Sequence, residues 1–144
     1  MIRTRTRDER GSAAVEAAVG VPAFVLFVGL IIFGGRTATT HSAVESAAAD
    51  AARTASIARS ASEAKQDAKA AAQASLANQD IHCLSVEVVV DVSDFAKAVG
   101  EAGSVAATVE CRLDLADLSV PGVPGSRLIK ATSSSPLDTW RERG

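Results

Sequence analysis

The carboxylate of Glu16 stands at the head of an apolar run, in the segment RGSAAVEAAVGVPAF. A carboxylate at the edge of hydrocarbon is costly unless it meets a cation, so its position points to a role. The competing reading is a side chain that snorkels to the interface. Five residues before it lies Gly11, followed by Ser12 and a small-residue stretch. The other residues able to do chemistry lie far along the chain. Cys83 and Cys111 are the two cysteines, and His82 adjoins the first of them. With His82 they make three candidate metal ligands, but not in the spacing of a zinc site, so no metal and no cofactor is expected. His41 reads as a surface residue. The sequence has no nucleophile motif, glycine-rich phosphate loop or carboxylate pair placed for acid–base work, and it does not read as an enzyme.

The element that must carry Glu16 is a membrane helix. Residues 17–35, AAVGVPAFVLFVGLIIFGG, contain no charge. As a helix they span about 28 Å, close to the hydrocarbon thickness of a bilayer. Gly20 and Pro22 are compatible with a membrane helix. A buried core helix is the alternative, but the rest of the chain has little bulk to bury it. Apolar residues are 47% of the chain while aromatics are 3%, and Phe24, Phe27 and Phe33 fall inside this one stretch. Arg3, Arg5, Arg7 and Arg10 precede the run, while Arg36 and Arg53 follow it. The excess of basic residues places the N-terminus in the cytoplasm and the C-terminus outside. A signal-peptidase cut after Ala38 would put Arg36 at the third position before the cut, so the helix is expected to stay attached. The balance of 15 basic and 17 acidic side chains provides no positive field for nucleic acid.

Beyond the span, 17 of the 40 residues in 38–77 are alanine, with no Gly or Pro. Alanine has the highest helix propensity, which predicts a long helix ending near Asn78. Val44, Ala48, Ala51, Ala55, Ala58, Ala61, Ala64, Ala68 and Ala71 recur at three- or four-residue spacing and form a narrow seam. If continuous from Ser12 to Asn78, the helix would be a rod of about 100 Å, with a bend expected near Gly34 and Gly35. The seam suits either packing on the protein's own head or contact with helices of other subunits.

The period changes after Asp80. In residues 81–92, Leu84, Val86, Val88, Val90 and Val92 alternate with Ser85, Glu87 and Asp91. In residues 105–115, Val105, Ala107, Val109, Cys111, Leu113 and Leu115 form the apolar face. SDFAKAVGEAGS between them reads as a helical turn or loop, and a third strand is predicted at 127–133. The fold class is α+β: a long N-terminal helix, first transmembrane and then Ala-rich, followed by a small antiparallel sheet. Outside the membrane Cys83 and Cys111 are expected to form a disulfide. Alternation puts Cys111 on the apolar face and Cys83 on the polar one. Either Cys83 precedes the regular strand, or a bulge changes the register, or the bond does not form.

Basic residues, then Gly11, four small or apolar residues, Glu16 and an apolar helix together resemble a class III, type IV-pilin-like leader. RGSAAVEAAVGVPAFVLFVGLIIFGGR resembles the TadE-like minor pilins, pseudopilins of tight-adherence (Tad/Flp) pilus systems. VPGVPGSRLIKATSSSPLDTWR also resembles the tails of TadE/TadG-like proteins. The resemblance implies a pilin-like fold and a prepilin peptidase that cuts between Gly11 and Ser12. It also implies that Glu16 meets the N-terminal amine of a neighbouring subunit. Ala17 follows Glu16 where major Flp pilins typically carry Tyr, and the chain is far longer than a major pilin; both favour a minor pilin or pseudopilin. The expected organisation is a leader at 1–11, the membrane helix at 12–36, an extracytoplasmic Ala-rich helix at 37–79, a β head at 80–135 and a polar tail at 136–144. The expected location is the cytoplasmic membrane, with incorporation into a surface pilus as a further possibility. The expected partners are the lipid bilayer, the prepilin peptidase, other pilin or pseudopilin subunits and the Tad assembly platform. Removing residues 1–11 would leave 11 basic against 15 acidic side chains. Two rival readings are an unprocessed single-pass anchor with a ligand-binding head, and a secretion-apparatus component.

Overall fold

The computed structural model describes residues 10–118, 121–122 and 124–140, with side chains from residue 13 onward. The leader residues 1–9 and the tail residues 141–144 lie outside the described residues. Helix α1 covers Arg10–Ile57 and α2 covers Ala61–Asn78. Three strands follow: β1 at Cys83–Asp91, β2 at Ser104–Asp114 and β3 at Ser126–Pro136. They form one antiparallel sheet in the order β1-β2-β3. The molecule is a long helix followed by a small antiparallel sheet, an α+β, pilin-like arrangement.

The Ala-rich stretch is not one rod. α1 runs without a break through Gly34 and Gly35, where added Cβ atoms would meet no neighbour within 4 Å. The chain breaks instead at residues 58–60 and folds back. Ser60 adopts an extended backbone, φ −137° and ψ 157°, and its hydroxyl accepts the Glu63 amide at 3.2 Å. Glu63 Oε2 accepts the Arg59 amide at 2.8 Å. This is a capping-box variant written in Ser60-x-x-Glu63. The hairpin packs the seam on itself: Ala48, Ala51 and Ala55 on α1, and Ala64, Ala68 and Ala72 on α2, are all fully buried. Asp50 Oδ2 accepts the Ser75 hydroxyl across the hairpin at 2.7 Å. Alanine propensity alone carries no stop signal; the Ser60-x-x-Glu63 cap marks where the second helix starts, and burial of two small-residue faces against each other holds the hairpin closed.

α2 ends as the sequence suggests, after Asn78. Ile81 N donates to Leu76 O and Asp80 N to Ala77 O, the two bonds of a Schellman motif. Asp80 takes the positive-φ position of that motif at φ 57°. The central strand β2 turns Val105, Ala107, Val109, Cys111 and Leu113 into the core, with Leu115 just beyond it. Ile129 from β3 joins them, and Phe95 closes one end from a 3-10 turn at Ser93–Ala96.

In β1 the pattern differs at one residue. The register shifts between Cys83 and Ser85: Cys83 pairs with Leu113, but Ser85 pairs with Arg112. Leu84 is therefore 59% exposed and not on the inward face, while Cys83 packs against the core. Among the three arrangements open from the sequence, the bulge is present, and Cys83 and Cys111 form a disulfide with Cα atoms 5.5 Å apart.

Candidate functional site

Gly11, Ser12 and Glu16 all fall in the first two turns of α1. Ser12 precedes Glu16 by four residues, so the two positions share one helix face, about 6 Å apart along the axis. Glu16 is exposed, as are its neighbours Ala13, Ala14, Val15, Ala17 and Ala18. Among the described residues it forms no ion pair. In water this costs nothing; at a bilayer edge the carboxylate needs a cation from elsewhere.

The helix beyond Glu16 is apolar and bare. Val19, Phe24, Val25 and Phe27 are each 60% exposed or more, and no part of the best apolar window is buried. Such a surface is not sustained in water. The apolar helix near the N-terminus therefore points to membrane association. Packing against the head begins at Phe33, which touches the core cluster from below.

At the exit of the apolar run the structure forms a collar that the sequence does not reveal. Arg36 Nη1 lies 2.9 and 2.7 Å from the two carboxylate oxygens of Asp117, in a 3-10 turn after β2. The partners are 81 residues apart, and no local pattern links them. Thr39 and Thr40 donate their hydroxyls back to Gly35 O and Arg36 O, so the buried Thr40 is satisfied within the helix. A cleft of about 590 Å³ opens beside the pair, with Asp80, His82 and Asp114 among its lining.

The sites read from the sequence thus fall in two places. Gly11, Ser12 and Glu16 lie at the foot of α1, and Glu16 is separated from Arg36 by about 30 Å of helix. Cys83 and Cys111 lie in the head, bonded to each other, so they offer no thiolate to His82. His41 sits on the surface 3.4 Å from Glu45.

Comparison with known proteins reaches the first of these places. Residues 11–53 match the family model described as TadE-like protein. The match begins at Gly11 and covers most of α1, under a third of the chain, leaving α2 and the sheet outside it. The N-terminal segment is TadE-like, in keeping with the resemblance carried by Gly11, Glu16 and the apolar run. No curated protein and no solved structure matches the chain significantly.

Proposed function

We propose that this chain with a TadE-like N-terminal segment is a minor pilin or pseudopilin of a Tad-type pilus system, acting as a structural subunit and not as an enzyme. One observation carries the reading: the TadE-like match lies on a helix whose apolar N-terminal part projects bare from a folded head. The chain inserts once in the cytoplasmic membrane, N-terminus inside and head outside, the orientation favoured by Arg3, Arg5, Arg7 and Arg10. A prepilin peptidase cuts between Gly11 and Ser12. The new Ser12 amine is the kind of cation that Glu16 lacks within its own described surroundings. Paired between neighbouring subunits, Glu16 and that amine set the axial register during assembly with the other pilins and the platform. The disulfide suits a head exposed to an oxidising compartment.

Mass spectrometry of the membrane-extracted protein tests cleavage directly. A mature chain starting at Ser12 is expected when the peptidase is present, and the uncut chain when it is absent. An intact Met1 in peptidase-bearing cells overturns the pilin reading and favours an unprocessed anchor. Glu16→Ala should leave insertion and cleavage in place and abolish incorporation; normal incorporation would remove the register role.

A further inference from the structure

The free edges of the sheet face sideways. Residues 36–56 of α1 rise about 30 Å from the Asp117 contact to Ser56, whose hydroxyl bonds to Ser135. From Ser126, paired with Asp114 near the same collar, to Ser135, β3 extends about 30 Å as well. Strand and helix therefore ascend side by side. Interstrand hydrogen bonds run across the strands, so the unpaired edges of β1 and β3 point laterally, toward other chains held in the same bilayer. Both strands are antiparallel to β2 and ascend from the collar. Two copies at equal depth would present β1 and β3 to each other as parallel strands.

The cross-strand rows fix what would meet. Glu87, Glu110 and Lys130 form one row, and Val89, Thr108 and Thr132 the next row on the same face. Lys130 Nζ holds Glu110 at 2.8 Å. Glu87 stands directly opposite Glu110, a like-charge pairing that disfavours an isolated sheet, and among the described residues it has no ion pair. A second copy at the same depth brings its own Lys130 beside Glu87. β1 is also left open: Val89 is 55% exposed, and the strand contains neither Pro nor Lys. A groove of about 450 Å³ runs between Val88, Val89 and Val90 and the α2 residues Lys65 and Lys69. Beyond the bulge at its start, the valine-rich stretch 86–90 is regular and forms a template for strand pairing.

We infer that β1 is an assembly edge that takes β3 of a second copy of this chain, in parallel pairing, with Glu87 beside Lys130 of that copy. Each copy offers β1 to one neighbour and β3 to the other. The contact is heterologous, so it propagates from copy to copy, as an open row or a ring, and does not close as a two-fold dimer. It rests on the membrane insertion proposed above but not on cleavage at Gly11.

The test uses the full chain in vesicles of phosphatidylethanolamine and phosphatidylglycerol, with photoreactive benzoylphenylalanine replacing Val89. Flotation with the vesicles reports insertion separately, and a non-floating chain overturns the anchored reading itself. In the floated chain, illumination should give dimers and higher adducts, with the crosslinked peptide containing Thr132. Glu87→Lys and Lys130→Glu should each lower the yield about threefold, and the double exchange should restore it to within about twofold. Mixing the Glu87→Lys chain that bears the photoprobe with the Lys130→Glu chain should also restore the adduct. Because each chain then keeps the altered Glu110 surroundings of its single variant, that rescue separates the contact between copies from repair of the internal row. An intact Cys83–Cys111 peptide in each variant verifies the fold. Floated chain that stays monomeric, crosslinks elsewhere, or ignores both single exchanges overturns the inference.

Discussion

The two halves of α1 obey opposite rules. Below Phe33 the helix carries large side chains and exposes them: Phe24 is 67% exposed and Ile31 57%. Above Thr40 it carries small ones and hides them: Val44, Ala47, Ala48, Ala51 and Ala55 are all at 0%. A soluble protein would do the reverse, because burying a large apolar side chain gains more than burying a methyl. The membrane association that this bare apolar surface points to resolves the contradiction for the lower half, since against hydrocarbon bulk belongs on the outside. In the upper half, alanine lets α2 and the sheet approach the helix closely. The gain there comes from contact over many short side chains, each contributing little.

That contrast predicts which changes injure the head and which leave it alone. The largest effect should come from the disulfide, because the head has few bulky residues to compensate. Replacing Cys83 and Cys111 by serine should cost the head about 3–4 kcal/mol in denaturant unfolding, by the loop-entropy estimate for a closure of this length. The same pair of changes should leave vesicle binding by the lower helix intact. Second comes a paired substitution within α1. Ala51→Leu adds three heavy atoms where none fit and should cost about 1–3 kcal/mol, while Val25→Leu in the bare half should leave the head's midpoint unchanged. Equal effects from these two would break the comparison. Third, Ser60→Ala removes the cap that starts α2 and should cost about 1 kcal/mol. Hydrogen exchange should rise first in the opening turn of α2.

The smallest expected effects lie on the surface. Arg36→Gln loses a paired but half-exposed bridge and should cost less than about 1 kcal/mol, with a loss that shrinks in salt. Asp91 provides a pH signature. Its carboxylate accepts the Ser93 amide at 3.0 Å, and that bond holds its pKa below the ordinary value. The group is lowered on folding, so its contribution is present above the unfolded pKa and fades as pH falls through the folded one. Asp91→Asn should flatten that acid-side slope slightly, read as the change in unfolding midpoint between neutral and acidic pH.

Much of the architecture is legible in the residue order. The uncharged run of 17–35 specifies an apolar helix by length alone, and the alternation Val105, Ala107, Val109, Cys111, Leu113 specifies β2 and its inward face. Both are periodic signals that depend on nothing beyond their own segment. The break at residues 58–60 was also written locally, as Ser60-x-x-Glu63, but within so strong an alanine background that propensity pointed to one continuous helix. The bulge at Cys83–Ser85 was different. Strict alternation placed Cys83 outward, and only the pairing of β1 with β2 shows which residue is extra. Within the candidate site, Gly11, Ser12 and Glu16 could be singled out because the pattern that picks them out is a spacing along one helix. Arg36 and Asp117 could not, because 81 residues separate them and nothing in either neighbourhood names the other.

The sequence by itself determined the segments: an apolar helix with a carboxylate at its head, an alanine seam, valine strands and two cysteines. Each follows from short-range periodicity, propensity or solvent preference, which a linear pattern expresses fully. The tertiary structure decided that the alanine helix folds back on itself at its local cap and which side of β1 Cys83 takes. It also decided that Arg36 clamps the head to the helix, and that the edges of the sheet point sideways. These depend on which surfaces exclude each other's solvent and on contacts between residues remote in the chain, and those are settled only when the whole chain packs.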